Sequence, residues 1–180
     1  MMKATGVVRR IDDLGRIVIP KEIRRTMRIR EGDPLEIFTD KDGGVVFKKY
    51  SLMGGVADFA GQMCETLAKL SGLAAVITDR DNTLAVSGAP KRELGERSIS
   101  EELEQLMENR QLYVHQEGEP SFPACRDVEK YRVAVCAPIL SGGDVLGAVL
   151  FVSDEPQAVT DSEIKMIQTA AGFLSRHMES

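Results

Sequence analysis

The first 50 residues alternate between apolar and polar positions over short stretches separated by turn-forming residues. Gly15 allows a tight turn after two aspartates, and Pro20 suits the first position of a helix. The predicted elements are, in order, strand, turn, strand, helix and a two-stranded hairpin, at residues 5–11, 12–15, 16–19, about 20–29, 34–39 and 45–49. A segment this short buries only a marginal core by itself. We therefore expect residues 1–50 to form an obligate dimer around one shared core.

A different pattern begins after residues 51–55, a glycine-containing stretch that we interpret as a linker. Apolar residues recur at steps of four and three over residues 56–70 and again over 161–178, which predicts two amphipathic helices. Thr160 and Glu163 have the spacing of a capping box at the start of the second helix. The second helix carries a further apolar stripe, formed by Met166, Ala170 and Phe173. One side can therefore cover a sheet while the other meets a partner helix, although both stripes could instead belong to the domain's own core.

Between these two helices the pattern predicts a sheet and one more helix. The expected strands and helix lie, in order, at residues 73–78, 83–87, 100–110 (the helix), 112–115, 131–139 and 145–153. This order predicts an α+β domain with a central antiparallel sheet over residues 56–180. The longest irregular stretch, residues 117–130, is either a lid over a pocket or a solvated loop.

Charge separates the two segments more sharply than hydropathy does. The whole chain of 180 residues has a formal net charge of −5. Residues 1–50 hold 12 Lys and Arg against 8 Asp and Glu, whereas residues 51–180 hold 11 against 20. A basic segment joined to an acidic domain is typical of a nucleic-acid-binding arm on a domain that does not itself bind nucleic acid.

The cations of the predicted helix fall on one side of it. Lys21, Arg24, Arg25 and Arg28 are spaced i, i+3, i+4 and i+7, within an arc of about 100° on a helical wheel. Their mutual repulsion costs a few tenths of a kcal/mol per pair, so a merely solvated face is the less favoured explanation. The arc predicts a surface for the phosphate backbone of a nucleic acid.

Little in the sequence points to catalysis, a cofactor or a metal. The glycine pairs fit turns better than a phosphate-binding loop. His115 and His177 are isolated, and three cysteines without a C-x-x-C pair favour neither a disulfide framework nor a zinc site. No apolar run is long enough to span a bilayer, and there is no signal peptide. We expect a cytoplasmic protein that is not an enzyme.

Residues 3–50 resemble the AbrB-type swapped-hairpin DNA-binding domain. The resemblance rests on KATGVVRRIDDLGRIVIPKEIRR, followed by GDPLEIF and VVFKKY. It implies that two chains interleave their strands into one small barrel, and that arginines of the first strand, the turn and the helix contact DNA. The positions that match are Arg9, Arg10, Arg16, Arg24 and Arg25. Lys21 and Arg28 are candidates from the helical wheel alone.

The segment after the linker resembles a GAF domain in the order of its elements. GAF domains bind nucleotides, small metabolites or nothing, so the resemblance leaves an unidentified small-molecule ligand open. The combination resembles transcription factors of spore-forming bacteria. It implies activation or repression of late forespore genes, loosely related DNA sites, and a tetramer formed through helices 56–70 and 161–178.

Two other functions compete with this interpretation. Some GAF-fold proteins are methionine-sulfoxide reductases that use cysteines, and Cys125 lies in the irregular stretch. Swapped-hairpin domains also occur in antitoxins, which usually carry a disordered toxin-binding tail, whereas residues 56–180 are patterned as a folded domain.

Overall fold

The structure is a computed structural model, and it describes residues 5–155 and 157–179. The chain divides into two compact units, Met1–Tyr50 and Ser51–Ser180. Together they have the α+β character that the sequence predicts, with helices beside antiparallel sheets. No helix among the described residues is long and apolar enough to cross a membrane.

The first unit contains one helix and one hairpin. Helix α1 spans Lys21–Thr26, and strands β1 (Leu35–Thr39) and β2 (Val45–Lys49) pair antiparallel with Leu35 opposite Lys49. The side chain of Asp40 closes the hairpin turn by accepting the backbone N–H groups of Asp42 and Gly44. The hairpin thus forms where its turn residues predict.

Residues 5–11 and 16–19 form no strand in this single chain, contrary to expectation. They enclose a turn, but no described strand offers them backbone partners. A β-strand needs a neighbour to accept and donate its ladder hydrogen bonds, and a single chain supplies none here. The prediction of strands at these positions therefore depends on a second chain.

Helix α1 is shorter than predicted, and Arg28 lies beyond it. The N–H of Ile29 donates to the carbonyl of Arg24 and the N–H of Arg28 to that of Arg25, which is the Schellman arrangement that ends a helix. Arg28 takes the left-handed position of this cap with φ 52°, where glycine is usual. The helical wheel placed Arg28 on the same helix face as Lys21, and this placement is wrong because Arg28 lies beyond the end of the helix.

Residues 51–55 are more ordered than a linker requires. A 3₁₀ helix spans Leu52–Val56, and the Met53 side chain is fully buried in the core of the second unit. Met53 fixes this stretch to that unit because removing a buried methionine from its cavity costs several kcal/mol.

The second unit is built on a six-stranded antiparallel sheet in the order β4-β3-β8-β7-β5, with β6 also pairing β7. Its elements are, in chain order, α2 (Ala57–Ser71), β3 (Ala74–Asp79), β4 (Thr83–Ser87), α3 (Lys91–Leu94), α4 (Glu101–Glu108), β5 (Tyr113–Val114), β6 (Pro123–Cys125), β7 (Val128–Ser141), β8 (Asp144–Ser153) and α5 (Asp161–His177). Helices α2 and α5 cover one face, whereas α4 and the segment around β6 cover the other. The sheet thus separates two apolar cores.

Two local predictions for this unit have different outcomes. The capping box of α5 is confirmed: the Thr160 side chain accepts the Glu163 N–H, and the Glu163 side chain accepts the Thr160 N–H. Residues 117–130 are less irregular than predicted, since β6 and the start of β7 lie within them and Cys125 is fully buried. That part of the stretch belongs to the core and is no open lid.

Candidate nucleic-acid interface

The turn between the two expected strands is organised by one carboxylate. Asp12 Oδ1 accepts the N–H groups of Leu14 at 3.0 Å and Arg16 at 2.7 Å, and Oδ2 lies 2.7 Å from Arg16 Nε. The backbone N–H and then the side chain of Arg16 hold the pKa of Asp12 below its ordinary value. Gly15 completes the turn with φ 75°, a conformation that glycine adopts without a steric penalty. Arg16 is therefore a fixed and exposed cation.

Arg9 and Arg10 lie in the segment before this turn, and both are exposed. Neither has an acidic partner among residues 5–155 and 157–179. Successive side chains of an extended strand point to opposite faces. If residues 5–11 pair as a strand, Arg9 and Arg10 therefore point to opposite faces of that strand.

Helix α1 brings together three of the predicted cations. Lys21, Arg24 and Arg25 are exposed, and within the described part of the chain no carboxylate pairs with them. Pro20 precedes the helix, where its missing N–H leaves no helical hydrogen bond unmade. The helix therefore presents a compact group of uncompensated positive charges.

An ion pair between Asp33 and Lys49 fixes the end of this helix, and sequence patterns alone did not indicate it. The Asp33 carboxylate, whose side chain is 4% exposed, lies 3.3 Å from Lys49 Nζ. The same Nζ donates to the Arg28 carbonyl at 2.8 Å, and Asp33 accepts the Arg30 N–H. The hairpin thereby holds the chain that leaves α1, which fixes how the helix lies on the hairpin.

Many apolar side chains of the first unit are uncovered. Among residues 5–50, only Pro20 is buried. Large apolar side chains are exposed throughout residues 5–50, including Val8 at 88%, Val18 at 72% and Ile37 at 61%. Monomeric proteins rarely leave so large a share of their apolar side chains in water. The first unit thus lacks a core of its own, although it has the cations expected of a DNA-binding face.

The described residues of the second unit include a groove and a cleft. A groove of about 570 Å³ between α2 and α5 is lined mainly by apolar side chains, including Met63, Met166 and Phe173. Phe173 is 52% exposed and stacks on Phe59 with ring centroids 5.6 Å apart. A cleft of about 610 Å³ lies between α2, β4 and α3, with charged side chains of both signs along it.

The cysteines and histidines show no arrangement suited to chemistry. All three cysteines are buried, and burial raises the thiol pKa to about 12 for Cys64 and about 11 for Cys125, and also raises that of Cys136. His115 is buried, with Nδ1 3.3 Å from the Tyr113 hydroxyl. His177 is exposed on α5 and stacks on Phe59. Protonated, buried thiols are poor nucleophiles.

Comparison with known proteins identifies the family. Residues 55–179 match the family model of the stage V sporulation protein T C-terminal domain, a transcription factor. Stage V sporulation protein T of Bacillus subtilis (strain 168) is 48% identical over 178 residues, which cover 99% of each chain. The chain belongs to the stage V sporulation protein T family. It is a sporulation transcription regulator with an AbrB-type DNA-binding domain followed by a GAF-like domain.

The two domains also match other proteins separately. The transition state regulatory protein AbrB of Bacillus subtilis (strain 168) is 45% identical over 71 residues, covering 39% of this chain and 72% of that protein. Residues 8–52 match the family model of MazE, described as antidote-toxin recognition and bacterial antitoxin. The N-terminal sequence is therefore of a type that transcription regulators and antitoxins share.

Several solved structures match the fold of the second unit. The GAF domain of Acinetobacter phosphoenolpyruvate-protein phosphotransferase is similar with a TM-score of 0.52 and 14% identity, covering 73% of this chain and 84% of that one. The type II free methionine-R-sulfoxide reductase of Thermoplasma acidophilum has a TM-score of 0.55 and 12% identity, and the match covers 71% of this chain and 94% of that one. At such identities the likeness shows the GAF-like fold alone.

Proposed function

We propose that two copies of residues 1–50 share one core and bind double-stranded DNA through exposed cations. The observation that carries this proposal is the first unit's lack of a core: among residues 5–50 only Pro20 is buried, while Val8, Val18 and Ile37 are largely exposed. Burying such side chains against a second copy contributes about 25 cal/mol per Å² of apolar surface. The strands expected at residues 5–11 and 16–19 would gain their ladder partners in the same step.

The proposed DNA contacts are the exposed cations of the first unit: Arg9, Arg10, Arg16, Lys21, Arg24 and Arg25. Their guanidinium and ammonium groups suit phosphate oxygens, and arginine also suits the edge of guanine. Arg28 is left out of this set because it occupies the cap after α1, half-buried, with its carbonyl tied to Lys49. Contacts dominated by phosphate favour binding to loosely related sites, and the regulated genes we propose are those of the late forespore, activated or repressed.

Affinity measurements on the full chain test this surface. In fluorescence anisotropy with a duplex selected from a random pool by the unaltered protein, Arg16→Ala and Arg24→Ala should each weaken binding by roughly tenfold or more. Loss of a phosphate contact should also reduce the slope of log affinity against log salt by about 0.9. Lys41→Ala is the matched control, because Lys41 is exposed in the hairpin turn and its replacement by alanine also removes one positive charge. Unchanged affinity in both arginine variants would exclude this surface.

We also propose that the second unit assembles the dimers into a tetramer through α2 and α5. The groove between these helices supports this, since it is lined by Met63, Met166 and Phe173. Phe173 also stacks on the half-buried Phe59 and the exposed His177, which extends the groove into a partly exposed aromatic stack. Amphipathic helices that leave such a stripe in water gain by packing on a second copy. Two linked DNA-binding dimers then bind one duplex more tightly through their effective concentration.

A small-molecule ligand of the GAF-like domain stays a prediction. The cleft between α2, β4 and α3 has room for a small polar molecule, and charged side chains of both signs line it. Native mass spectrometry of the protein purified from its own cells would detect a retained ligand as an added mass. A spectrum showing only the apo mass after gentle purification would contradict stable binding.

The competing functions have little support in the second unit. A cysteine-dependent reductase needs an accessible thiol of lowered pKa, whereas Cys125 is fully buried with its pKa raised. An antitoxin would be expected to carry a disordered toxin-binding tail, whereas residues after Tyr50 form a second folded unit. We therefore propose that this regulator is not an enzyme and that its partners are DNA and further copies of itself.

A further inference from the structure

Asp12 places a negative charge beside a cation proposed to meet DNA. Its carboxylate accepts three N–H groups, from the Leu14 backbone, the Arg16 backbone and Arg16 Nε, at distances of 2.7 to 3.0 Å. The Asp12 N–H also donates to the Arg16 carbonyl at 3.1 Å. Electrostatics alone would disfavour this charge at a surface that approaches phosphates. A specific contribution from Asp12 would have to outweigh that repulsion.

The geometry of the pair suggests what that contribution is. Asp12 engages only the Nε edge of the Arg16 guanidinium, and the two Nη nitrogens have no partner among residues 5–155 and 157–179. The Arg16 side chain is 69% exposed, so these nitrogens face solvent. An exposed arginine normally loses substantial rotamer freedom on binding, and holding it in place beforehand reduces that cost.

We propose that Asp12 is a positioning residue for DNA recognition, which holds the Nε edge of Arg16 so that both Nη nitrogens point outward as a paired donor. Such a pair matches the O6 and N7 acceptors of guanine, or two oxygens of one phosphate. The inference rests on the proposed role of Arg16 in DNA binding. It adds that the neighbouring carboxylate strengthens binding even though its charge opposes DNA.

Asp13 provides a matched control for this proposal. It is the next residue, it carries the same charge, and its side chain is exposed without a hydrogen bond or ion pair to any described residue. Asp12→Asn keeps an oxygen that can accept the Leu14 and Arg16 backbone N–H groups, so the turn can persist while the charged pair to Nε is lost. Asp13→Asn removes a charge and nothing else.

The test compares these variants in the full chain with the selected duplex and with an unrelated duplex of equal length. Asp13→Asn should bind both duplexes slightly more tightly, because it removes a like charge. Asp12→Asn should bind the selected duplex roughly tenfold more weakly than the unaltered chain, which is the scale of one paired contact. Weakening confined to the selected duplex assigns the Nη pair to a base edge, and equal weakening on both assigns it to phosphate.

A double-mutant cycle separates positioning from a general effect on the turn. In an Arg16→Ala background, Asp12→Asn should no longer weaken binding and should bind slightly more tightly, as Asp13→Asn does. Tighter binding by Asp12→Asn in the unaltered background, or equal weakening in both backgrounds, would overturn the proposal. If Arg16→Ala alone binds as the unaltered chain does, the proposed contact itself fails and the inference with it. Unchanged circular dichroism and thermal unfolding show that each variant folds.

Discussion

At the scale of single residues, Arg28 illustrates how one backbone angle changes a functional assignment. Its φ of 52° places it in the left-handed region, where a side chain costs about 1 kcal/mol relative to glycine. Periodicity alone could not reveal this, because the stretch from Lys21 to Arg28 has no glycine or proline to mark the helix end. The cap forms instead where the Lys49 ammonium and the Asp33 carboxylate hold the chain.

The first prediction follows from that cap. Arg28→Gly should raise the free energy of opening of this region by about 1 kcal/mol, because glycine adopts the left-handed conformation without the steric penalty. Native-state hydrogen exchange of the Ile29 amide, which donates to the Arg24 carbonyl, reports the change in the full chain. DNA affinity should stay unchanged. A large loss of affinity would return Arg28 to the set of DNA contacts.

At the scale of elements, the second unit follows its sequence pattern closely. The long helices, the β7–β8 hairpin and the Thr160–Glu163 capping box are local features, and each forms where periodicity or turn residues predict. The short elements α3 and β6 were not predicted, since three or four residues carry too little periodicity. The burial of Cys125 was also not predicted from the sequence, because it depends on the pairing of β6 with β7 rather than on neighbours in the sequence.

The sheet makes a prediction of its own at Gly147. This residue lies opposite Asp79 where β8 pairs β3, and a methyl group there would overlap the Thr78 carbonyl oxygen. Gly147→Ala should therefore destabilise the second unit by roughly 1–3 kcal/mol, as overpacking does. Gly61→Ala is the control: it lies within α2 with no atom near the added methyl, and should stabilise by about 0.5–1 kcal/mol. Urea unfolding of both variants measures these effects, and equal midpoints would contradict the account.

At the scale of the whole molecule, the two units depend on partner chains to different degrees. The second unit has two buried cores of its own. Residues 5–50 of the first unit expose most of their apolar side chains, and on the proposed function both the fold and the DNA surface of this unit need a second chain. The sequence predicted this dependence from length, because so short a segment buries too little surface. The sequence did not indicate which residues would form the shared core. Those residues were identified by the exposure of their side chains in the single chain.

The proposed assembly of the second unit is tested by placing a charged side chain in the groove between α2 and α5. Phe173→Asp should convert the proposed tetramer into a dimer, because it places a carboxylate in the apolar surface that α2 and α5 would bury. Gln168→Asp, an exposed position on the same helix, is the control for charge. Multi-angle light scattering on both full-length variants gives the subunit number. A dimer for the unaltered chain, or a tetramer for Phe173→Asp, would contradict the proposed interface.

The central claim is that the first unit completes its fold only by pairing with a second copy. Within the described part of one chain, the backbone N–H groups of residues 8–11 and 17–19 donate no hydrogen bond. Hydrogen exchange of these amides in the full-length protein tests the claim most directly, because strands paired with a partner chain are protected and unpaired ones are not. The account predicts exchange at least about a thousandfold slower than in an unfolded chain, with protection falling as the protein is diluted. Exchange of these amides at the unfolded rate, in protein that still binds DNA, would contradict it.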